Sequence, residues 1–149
     1  MVEPIVWASM GVGLSVFLSV IGAAIGISIS APAIAGAGTE RPEIVSKSLI
    51  ATILAEAIAI YGLVVGLLAI FKLTSLAPTN TDLGFKIFFG GMIMGISAIA
   101  AGVGIGTSGS ALASATAEKP ELFSRVVVPL ILAEALAIYA FVAALLLVI

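Results

Sequence analysis

The chain has 149 residues, of which 62% are hydrophobic and only 9% are charged, and its net charge is −2. Soluble domains carry about 25% charged residues, so much of this apolar surface must face something other than water. The chain contains no cysteine and no histidine, which excludes disulfides, thiolate or imidazole metal sites and nucleophilic triads built on His or Cys, and it has no basic run that would favour a nucleic-acid partner.

Four long stretches with almost no charge follow one another along the chain. The first and third contain no charged residue, and the second and fourth contain one glutamate each. A helix needs about 20 apolar residues to cross a bilayer. We therefore predict an all-α membrane protein with four transmembrane helices. The stretches are residues 4–39, 48–71, 87–117 and 126–149.

The second half of the chain repeats the first half without a gap. The segment "ILAEAIAIYG", with Glu56 and Tyr61, returns as "ILAEALAIYA", with Glu134 and Tyr139, and the same shift in numbering carries the polar turn "ERPE" onto "EKPE". A repeat that contains two crossings leaves both copies in the same orientation. The repeats are therefore predicted to be parallel rather than inverted.

Each repeat is predicted to form a helical hairpin. Residues 4–72 form the first hairpin, residues 73–82 a connector of loop composition, and residues 83–149 the second hairpin. Pro42 and Pro120 stand where the second helix of each hairpin should begin, a position that tolerates proline.

Lysine and arginine are unevenly divided between the two ends of the predicted helices. Four lie in the hairpin turns and two lie on the connector side. An excess of positive charge marks the cytoplasmic side of a membrane. The hairpin turns are therefore predicted to be cytoplasmic, with both termini and the connector on the opposite side.

Both glutamates of the apolar stretches are predicted to lie near the middle of the membrane. Glu56 stands halfway between Arg41 and Lys72 in the sequence, and Glu134 stands halfway between Lys119 and the last residue. At the rise of an α-helix, these separations place each carboxyl group about 22–24 Å from the ends of its helix.

A carboxylate at that depth is costly, by about 2.5–3.5 kcal/mol on insertion scales. The neutral acid is favoured unless a cation approaches, and neither helix contains a basic partner for Glu56 or Glu134. One interpretation is that these residues join helices by hydrogen bonds, but ionisable residues within membranes usually mark ion pathways. Thr52 lies one turn before Glu56 and is a candidate hydrogen-bond partner, whereas Leu130 stands at the matching position before Glu134.

Each tyrosine follows its glutamate by five residues, which turns the helix by about 140°. Neither Tyr61 nor Tyr139 therefore lies on the face of its own glutamate. We predict that each reaches a glutamate of a neighbouring hairpin; the alternative is an aromatic side chain packed between helices or near the membrane interface.

Glycines are dense in the first helix of each hairpin and are predicted to let helices pack closely. Generic helix packing is the simpler interpretation, but the density also suits helices crowded into a narrow inner ring. The segment "GIGTSG" matches G-x-G-x-x-G but lacks the strand and βαβ unit of a dinucleotide site. The candidate packing residues are Gly22, Gly26, Gly102, Gly104 and Gly106.

A tandem hairpin, a mid-membrane glutamate in each second helix and an R/K-P-E turn together resemble a known family. Over essentially the whole chain, they are similar to the ring-forming c-type proteolipid of vacuolar- and archaeal-type rotary ATPases. The first hairpin also resembles the variant called c double-prime. Four-helix vacuolar proteolipids normally keep one carrier carboxylate, whereas this chain keeps both, so it looks more like archaeal duplicated proteolipids or a form near the duplication event.

The resemblance implies a rotor subunit that is not catalytic alone, in a vacuolar, endomembrane or archaeal plasma membrane. Copies of the chain, or related proteolipids, would form a ring in the lipid and turn against the stator, whose essential arginine would meet each glutamate. The cytoplasmic turns would dock on the central stalk. The residues implied for that docking are Arg41, Glu43, Lys119 and Glu121.

Two other classes of membrane protein fit the sequence less well. A passive pore- or junction-forming proteolipid would need a polar, water-lined helix stripe, whereas these helices show only scattered Ser and Thr. A secondary transporter commonly has inverted repeats and broken helices, whereas these repeats are parallel.

The carried ion is predicted to be a proton rather than sodium, and no cofactor is expected. Sodium needs several oxygen ligands, and sodium-carrying relatives supply Thr and Gln just after the glutamate and Gln on the first helix. None of the matching side chains here carries an oxygen. These are Ala57, Ile58, Ala135 and Leu136 after the glutamates, and Ile27 and Ile105 on the first helices.

The ion assignment predicts that sodium does not protect the glutamates from chemical modification. Labelling of Glu56 and Glu134 by dicyclohexylcarbodiimide, measured by peptide mass spectrometry, should be the same with and without sodium at constant pH and ionic strength. Saturable protection by sodium but not by potassium would assign a sodium site instead.

Overall fold

A computed structural model of the chain describes residues 3–73 and 80–149, which form helices and turns and contain no strand. Four of the helices are long, and one is a single turn. In chain order they are α1 (Pro4–Glu40), α2 (Val45–Ser48), α3 (Ile50–Leu73), α4 (Thr81–Glu118) and α5 (Phe123–Val148).

Four spans in the described residues are long and apolar enough to cross a membrane, which confirms the predicted fold class. The second span includes α2 and α3, because the backbone hydrogen bonds from Leu49 to Val45 and from Ile53 to Leu49 continue across their junction. The spans are Pro4–Glu40, Pro42–Leu73, Thr81–Glu118 and Pro120–Val148.

The two hairpin turns have the same backbone conformation. Arg41 and Lys119 both have φ −137°, in the extended region that a residue before proline prefers. Pro42 and Pro120 then each open a short 3₁₀ turn, where the missing N–H costs nothing. The repeat seen in the sequence is therefore also a repeat of local structure.

Helix α4 begins at Thr81, inside the range predicted for the connector. Asn80 caps it, because its side-chain oxygen accepts a hydrogen bond from the backbone N–H of Leu83 at 3.1 Å. At the other end of the predicted connector, Leu73 is still part of α3. Residues 74–79 lie outside the described part of the chain.

Helices α1 and α4 run parallel and touch along their backbones. Glycines on one helix meet backbone atoms of the other, and a Cβ on Gly22, for example, would overlap the backbone of Ala98. The residue numbers in contact rise together at a constant offset, which confirms that the repeats are parallel. The contacting pairs are Pro4 with Gly84, Gly11 with Gly91, Gly22 with Gly102, and Gly26 with Gly106.

Helices α3 and α5 form a second layer on this pair. Helix α3 contacts both α1 and α4, since Gly26 of α1 lies against Ala55 and Gly109 of α4 lies against Ala51. Helix α5 packs on α4 and on α3. Helices α1 and α4 therefore form one layer. In the second layer, α3 lies in the groove between them and α5 lies on the far side of α4.

Four of the five predicted packing glycines lie in the seam between α1 and α4. Gly104 does not, because a Cβ built there would lie 3.3 Å from the Cβ of Ala133 on α5. Gly104 lies between the seam residues Gly102 and Gly106 in the sequence and therefore on a different face of α4. Gly104 therefore helps to pack α5 onto α4.

The seam predicts that Gly22→Ala destabilises the chain, whereas Gly36→Ala on the same helix does not. The new methyl group at position 22 meets the backbone of Ala98, while the position at Gly36 has no atom within 4 Å. We expect Gly22→Ala to lower the free energy of unfolding by about 1–3 kcal/mol, the usual cost of overpacking. Titration with sodium dodecyl sulfate, followed by circular dichroism, measures it; equal stability of the two variants would contradict the packing.

Candidate functional site

The glutamate of the second hairpin is enclosed by the protein. Glu134 lies on α5 and is only 6% exposed. It is the one acidic side chain that is buried among the described residues. A buried carboxyl group needs hydrogen-bond partners.

Tyr61 of the first hairpin supplies one partner. Its hydroxyl group donates a hydrogen bond to Oε1 of Glu134, with an O–O distance of 2.5 Å. The tyrosine ring stacks on Phe141, with ring centroids 5.1 Å apart and planes inclined by 28°. The sequence predicted that each tyrosine reaches a glutamate on another hairpin, and within this chain Tyr61 does so.

The face of α5 is shaped to receive this tyrosine. Glu134, Ala137 and Phe141 follow one another at the spacings of one helix face. Ala137 is fully buried, and its small side chain leaves room for a ring that reaches from Phe141 to Glu134. Tyr61 therefore lies along α5, held at one end by stacking and at the other by its hydrogen bond.

Helix α1 fixes the backbone beside Tyr61. The hydroxyl of Ser15 donates to the carbonyl oxygen of Gly62 at 2.9 Å. Ser19 also lies so close to Gly62 that a Cβ there would overlap it. Gly62 thus brings α3 against α1 and sets the direction in which Tyr61 points.

The second oxygen of Glu134 has no protein partner among the described residues. No group of three His, Cys, Asp or Glu in the described ranges could hold a metal ion. In a neutral acid, Oε2 would carry the proton while Oε1 accepts the hydrogen bond from Tyr61.

The glutamate of the first hairpin has a different environment. Glu56 is exposed, and in the part of the chain that the structure describes it makes no hydrogen bond or ion pair. The expected contact with Thr52 is not made, because that hydroxyl donates to the carbonyl of Leu49 at 2.8 Å within its own helix. Tyr139 is 68% exposed and makes no hydrogen bond in the described residues.

The polar turns lie together at one end of the parallel hairpins. Arg41 and Glu43 form an exposed ion pair with an N–O distance of 3.9 Å, and Lys119 and Glu121 are exposed as well. A cavity of about 320 Å³ lies between the two turns. It is lined by Glu43, Ile44, Lys47, Thr116, Pro120 and Phe123.

Two contributors to the site were missed from the sequence. Phe141 lies two helical turns after Glu134, so its position on the same helix face was available as a signal. The hydrogen bond from Ser15 to Gly62 was not, because it depends on how α1 and α3 pack.

The chain matches one protein family twice and several curated proteins over most of its length. The model of the ATP synthase C subunit family matches residues 10–69 and 88–147, once in each hairpin. The c″ subunit of the V-type proton ATPase of Saccharomyces cerevisiae is 36% identical over 132 residues, which are 85% of this chain and 62% of that protein. The chain thus spans less than two thirds of the yeast protein.

Shorter relatives are covered more completely. The 16 kDa proteolipid c subunit of the V-type proton ATPase of Ascaris suum is 39% identical over 139 residues, 93% of this chain and 86% of that protein. The protein of the same name from Homo sapiens is 39% identical over 145 residues, 95% of this chain and 90% of that protein.

The Glu134 site predicts a selective effect of Tyr61→Phe. The variant keeps the ring that stacks on Phe141 and removes only the hydroxyl group that binds Glu134. We expect dicyclohexylcarbodiimide to label Glu134 about five times faster, the effect of losing a hydrogen bond of ordinary net strength, while labelling of Glu56 stays unchanged. Phe141→Leu, which keeps the hydroxyl group, should give a smaller increase. Equal acceleration at both glutamates would show that the variant acts through general loosening.

Proposed function

Because the chain belongs to the ATP synthase C subunit family, as a V-type proteolipid of the c or c″ kind, we propose that it carries protons across a membrane on Glu134 and Glu56 in a rotor ring. The observation that supports this most directly is the Glu134 site. A single carboxyl group lies buried in the middle of an apolar span and is held by one hydroxyl donor. The chain has no catalytic role alone; ATP is hydrolysed or synthesised elsewhere in the assembly.

The carrier cycle follows from the cost of charge in the membrane. While the site faces lipid, the neutral acid is the stable form, because an ionised group there costs about 2.5–3.5 kcal/mol or more. The proton leaves where a second protein supplies water and a positive charge, since an opposite charge favours the carboxylate. An arginine of the stator would provide that charge, and Tyr61 would hold the carboxyl group in a fixed position between the two events.

The ion carried is the proton, for a reason of ligand number. The structure gives Glu134 one hydroxyl partner, and the side chains that follow both glutamates contain no oxygen. A proton requires only the carboxyl group itself. Sodium would lose its hydration shell without gaining enough oxygen ligands.

The second glutamate sets the number of ions that each subunit carries. Moving one charge through 100 mV is worth about 2.3 kcal/mol. Two working glutamates in four helices let each ATP move more ions against a smaller gradient, and let a modest gradient support synthesis.

Ring copies and related proteolipids are the neighbours in the membrane, and the hairpin turns face the cytoplasm and the central stalk.

The proposal predicts the effects of three glutamate substitutions on proton transport. Glu134→Gln and Glu56→Gln should each lower ATP-driven acidification of vesicles that contain the assembled enzyme, because glutamine cannot exchange the proton and one carrier remains. The double variant should show no acidification. Glu3→Gln, which alters a carboxyl group outside the spans, serves as the control and should leave transport intact. Full transport with both Glu56 and Glu134 replaced would exclude the carrier role.

A further inference from the structure

The cavity between the two hairpin turns takes no part in the proposed proton cycle. Its walls come from the beginnings of the second and fourth spans and from Thr116 near the end of α4, and its volume is about 320 Å³. Ligand sites in proteins begin at about 300 Å³, so this volume suits a small polar group. Because both turns connect apolar spans, the cavity lies at the level of the lipid headgroups on whichever side of the membrane the turns face.

The cavity is apolar inside and charged at its mouth. Ile44 and Thr116 are buried, and Phe123 is half-buried. The Thr116 hydroxyl donates to a carbonyl of its own helix at 2.7 Å, so it is already satisfied. Glu43 and Lys47 are exposed and supply the two charges. A matching ligand is therefore an amphiphile, with a charged group at the mouth and an apolar part behind it.

The two charges at the mouth do not satisfy each other. Glu43 and Lys47 stand one helical turn apart and form no ion pair, and Lys47 makes no hydrogen bond or ion pair with any described residue. Glu43 meets only Arg41, at an N–O distance of 3.9 Å, which is longer than a hydrogen bond. A ligand that carries one anionic and one cationic group would bind both side chains.

The order of these charges along the membrane normal is that of a zwitterionic phospholipid. The chain enters the span from Glu43 to Lys47, so the backbone of Lys47 lies about 6 Å deeper. In phosphatidylethanolamine the ammonium group is outermost, the phosphate group lies below it, and the acyl chains continue toward the bilayer centre. An ammonium group at Glu43 and a phosphate group at Lys47 match this order. A lipid that carries only a phosphate group would leave the Glu43 carboxylate without a partner and near a second negative charge.

Apolar side chains continue from the cavity toward the bilayer centre. Ile50 follows Lys47 by three residues and Val127 follows Phe123 by four, so each lies on the helix face of a residue that lines the cavity. Both are half-buried. The beginning of an acyl chain can pack along them, whereas a water-soluble zwitterion would leave this surface uncovered.

We propose that this cavity binds the headgroup of a phospholipid with a primary ammonium group. The ammonium group binds Glu43, the phosphate group binds Lys47, and the first acyl carbons lie against Ile44 and Phe123. No hydrogen bond or ion pair joins residues 42–48 to residues 120–127 in the described part of the chain. The lipid therefore supplies a polar connection between the two hairpins at the end of the chain where they have none.

Photochemical cross-linking tests which lipid occupies the cavity. The full chain is reconstituted in vesicles of dioleoylphosphatidylcholine that contain a small fraction of phosphatidylethanolamine with a diazirine at the start of one acyl chain. After illumination, peptide mass spectrometry should find cross-links concentrated on the peptides that carry Ile44 and Phe123. Cross-links spread evenly over the four spans would show contact with bulk lipid alone and would overturn the proposal.

Competition by unlabelled lipids tests the headgroup. Dioleoylphosphatidylethanolamine should reduce the cross-links at the cavity, because its ammonium group donates hydrogen bonds to Glu43. Additional phosphatidylcholine should not, since its trimethylammonium group has no N–H. Equal competition by phosphatidylcholine, or by phosphatidic acid, which has no ammonium group, would show that the site does not recognise a primary ammonium group.

Lys47→Gln tests the phosphate contact. We expect the cross-link yield at the cavity to fall about fivefold, as for the loss of a partly exposed charge-assisted hydrogen bond, while the yield along the spans stays unchanged. The matched control is Arg125→Gln, which removes the cation at the same position of the second hairpin, outside the cavity. Equal losses in both variants would show general attraction between the chain and phosphate groups, and would contradict a specific site.

Exchanging the two charges tests their order. The double variant Glu43→Lys with Lys47→Glu keeps the net charge at the mouth but reverses its direction along the membrane normal. It should lose the cross-links at the cavity as Lys47→Gln does, whereas an unchanged yield would show that the order of the charges is irrelevant. Both residues are exposed, and circular dichroism verifies that the variants keep their helices.

The same labelling in the assembled enzyme distinguishes a lipid from a protein as the occupant. The cross-links should persist after assembly. If they occur in the isolated chain and disappear in the assembled enzyme, a neighbouring subunit covers the cavity and the proposal is wrong. The readout is contact with lipid and no variant alters Glu56 or Glu134, so the result is independent of the proposed proton transport.

Discussion

The backbone contact between α1 and α4 is the constraint on which the other contacts depend. Lipid gives little hydrophobic drive for helices to associate, so close packing and hydrogen bonds must hold them together. At Gly22 and Gly102, no side chain separates the two backbones. The close contact between α1 and α4 leaves a groove that α3 occupies. From this groove, Tyr61 of α3 reaches Glu134 on α5. A side chain added in the seam would separate the hairpins and so also move the tyrosine away from the carboxyl group.

The two glutamates are equivalent in the sequence and different in the structure. The first hairpin lies beside the second within the chain and supplies Tyr61 to Glu134. Glu56 has no such partner among the described residues. Local differences add to this asymmetry: Phe141 stacks on Tyr61, whereas Leu63 stands at the matching position of the first hairpin.

The sequence predicted the four spans, the parallel hairpins and the reach of a tyrosine to another hairpin, because each depends on composition or on the internal repeat. It could not predict which tyrosine would be paired within the chain, since that depends on the side of α4 on which α5 packs. It also offered Thr52 as a candidate hydrogen-bond partner of Glu56, whereas the Thr52 hydroxyl donates to the carbonyl of Leu49. Gly104 was placed with its neighbours Gly102 and Gly106 because spacing alone does not distinguish the face toward α1 from the face toward α5.

A head-to-tail contact between subunits closes into a ring when its rotation divides a full turn. The two layers favour such a rotation: α1 and α4 meet through glycines, while Tyr61 and Phe141 separate α3 from α5. A protomer that is narrow on its inner layer and wide on its outer layer curves the row of copies, and Glu56 and Glu134 lie on the helices of the wide layer.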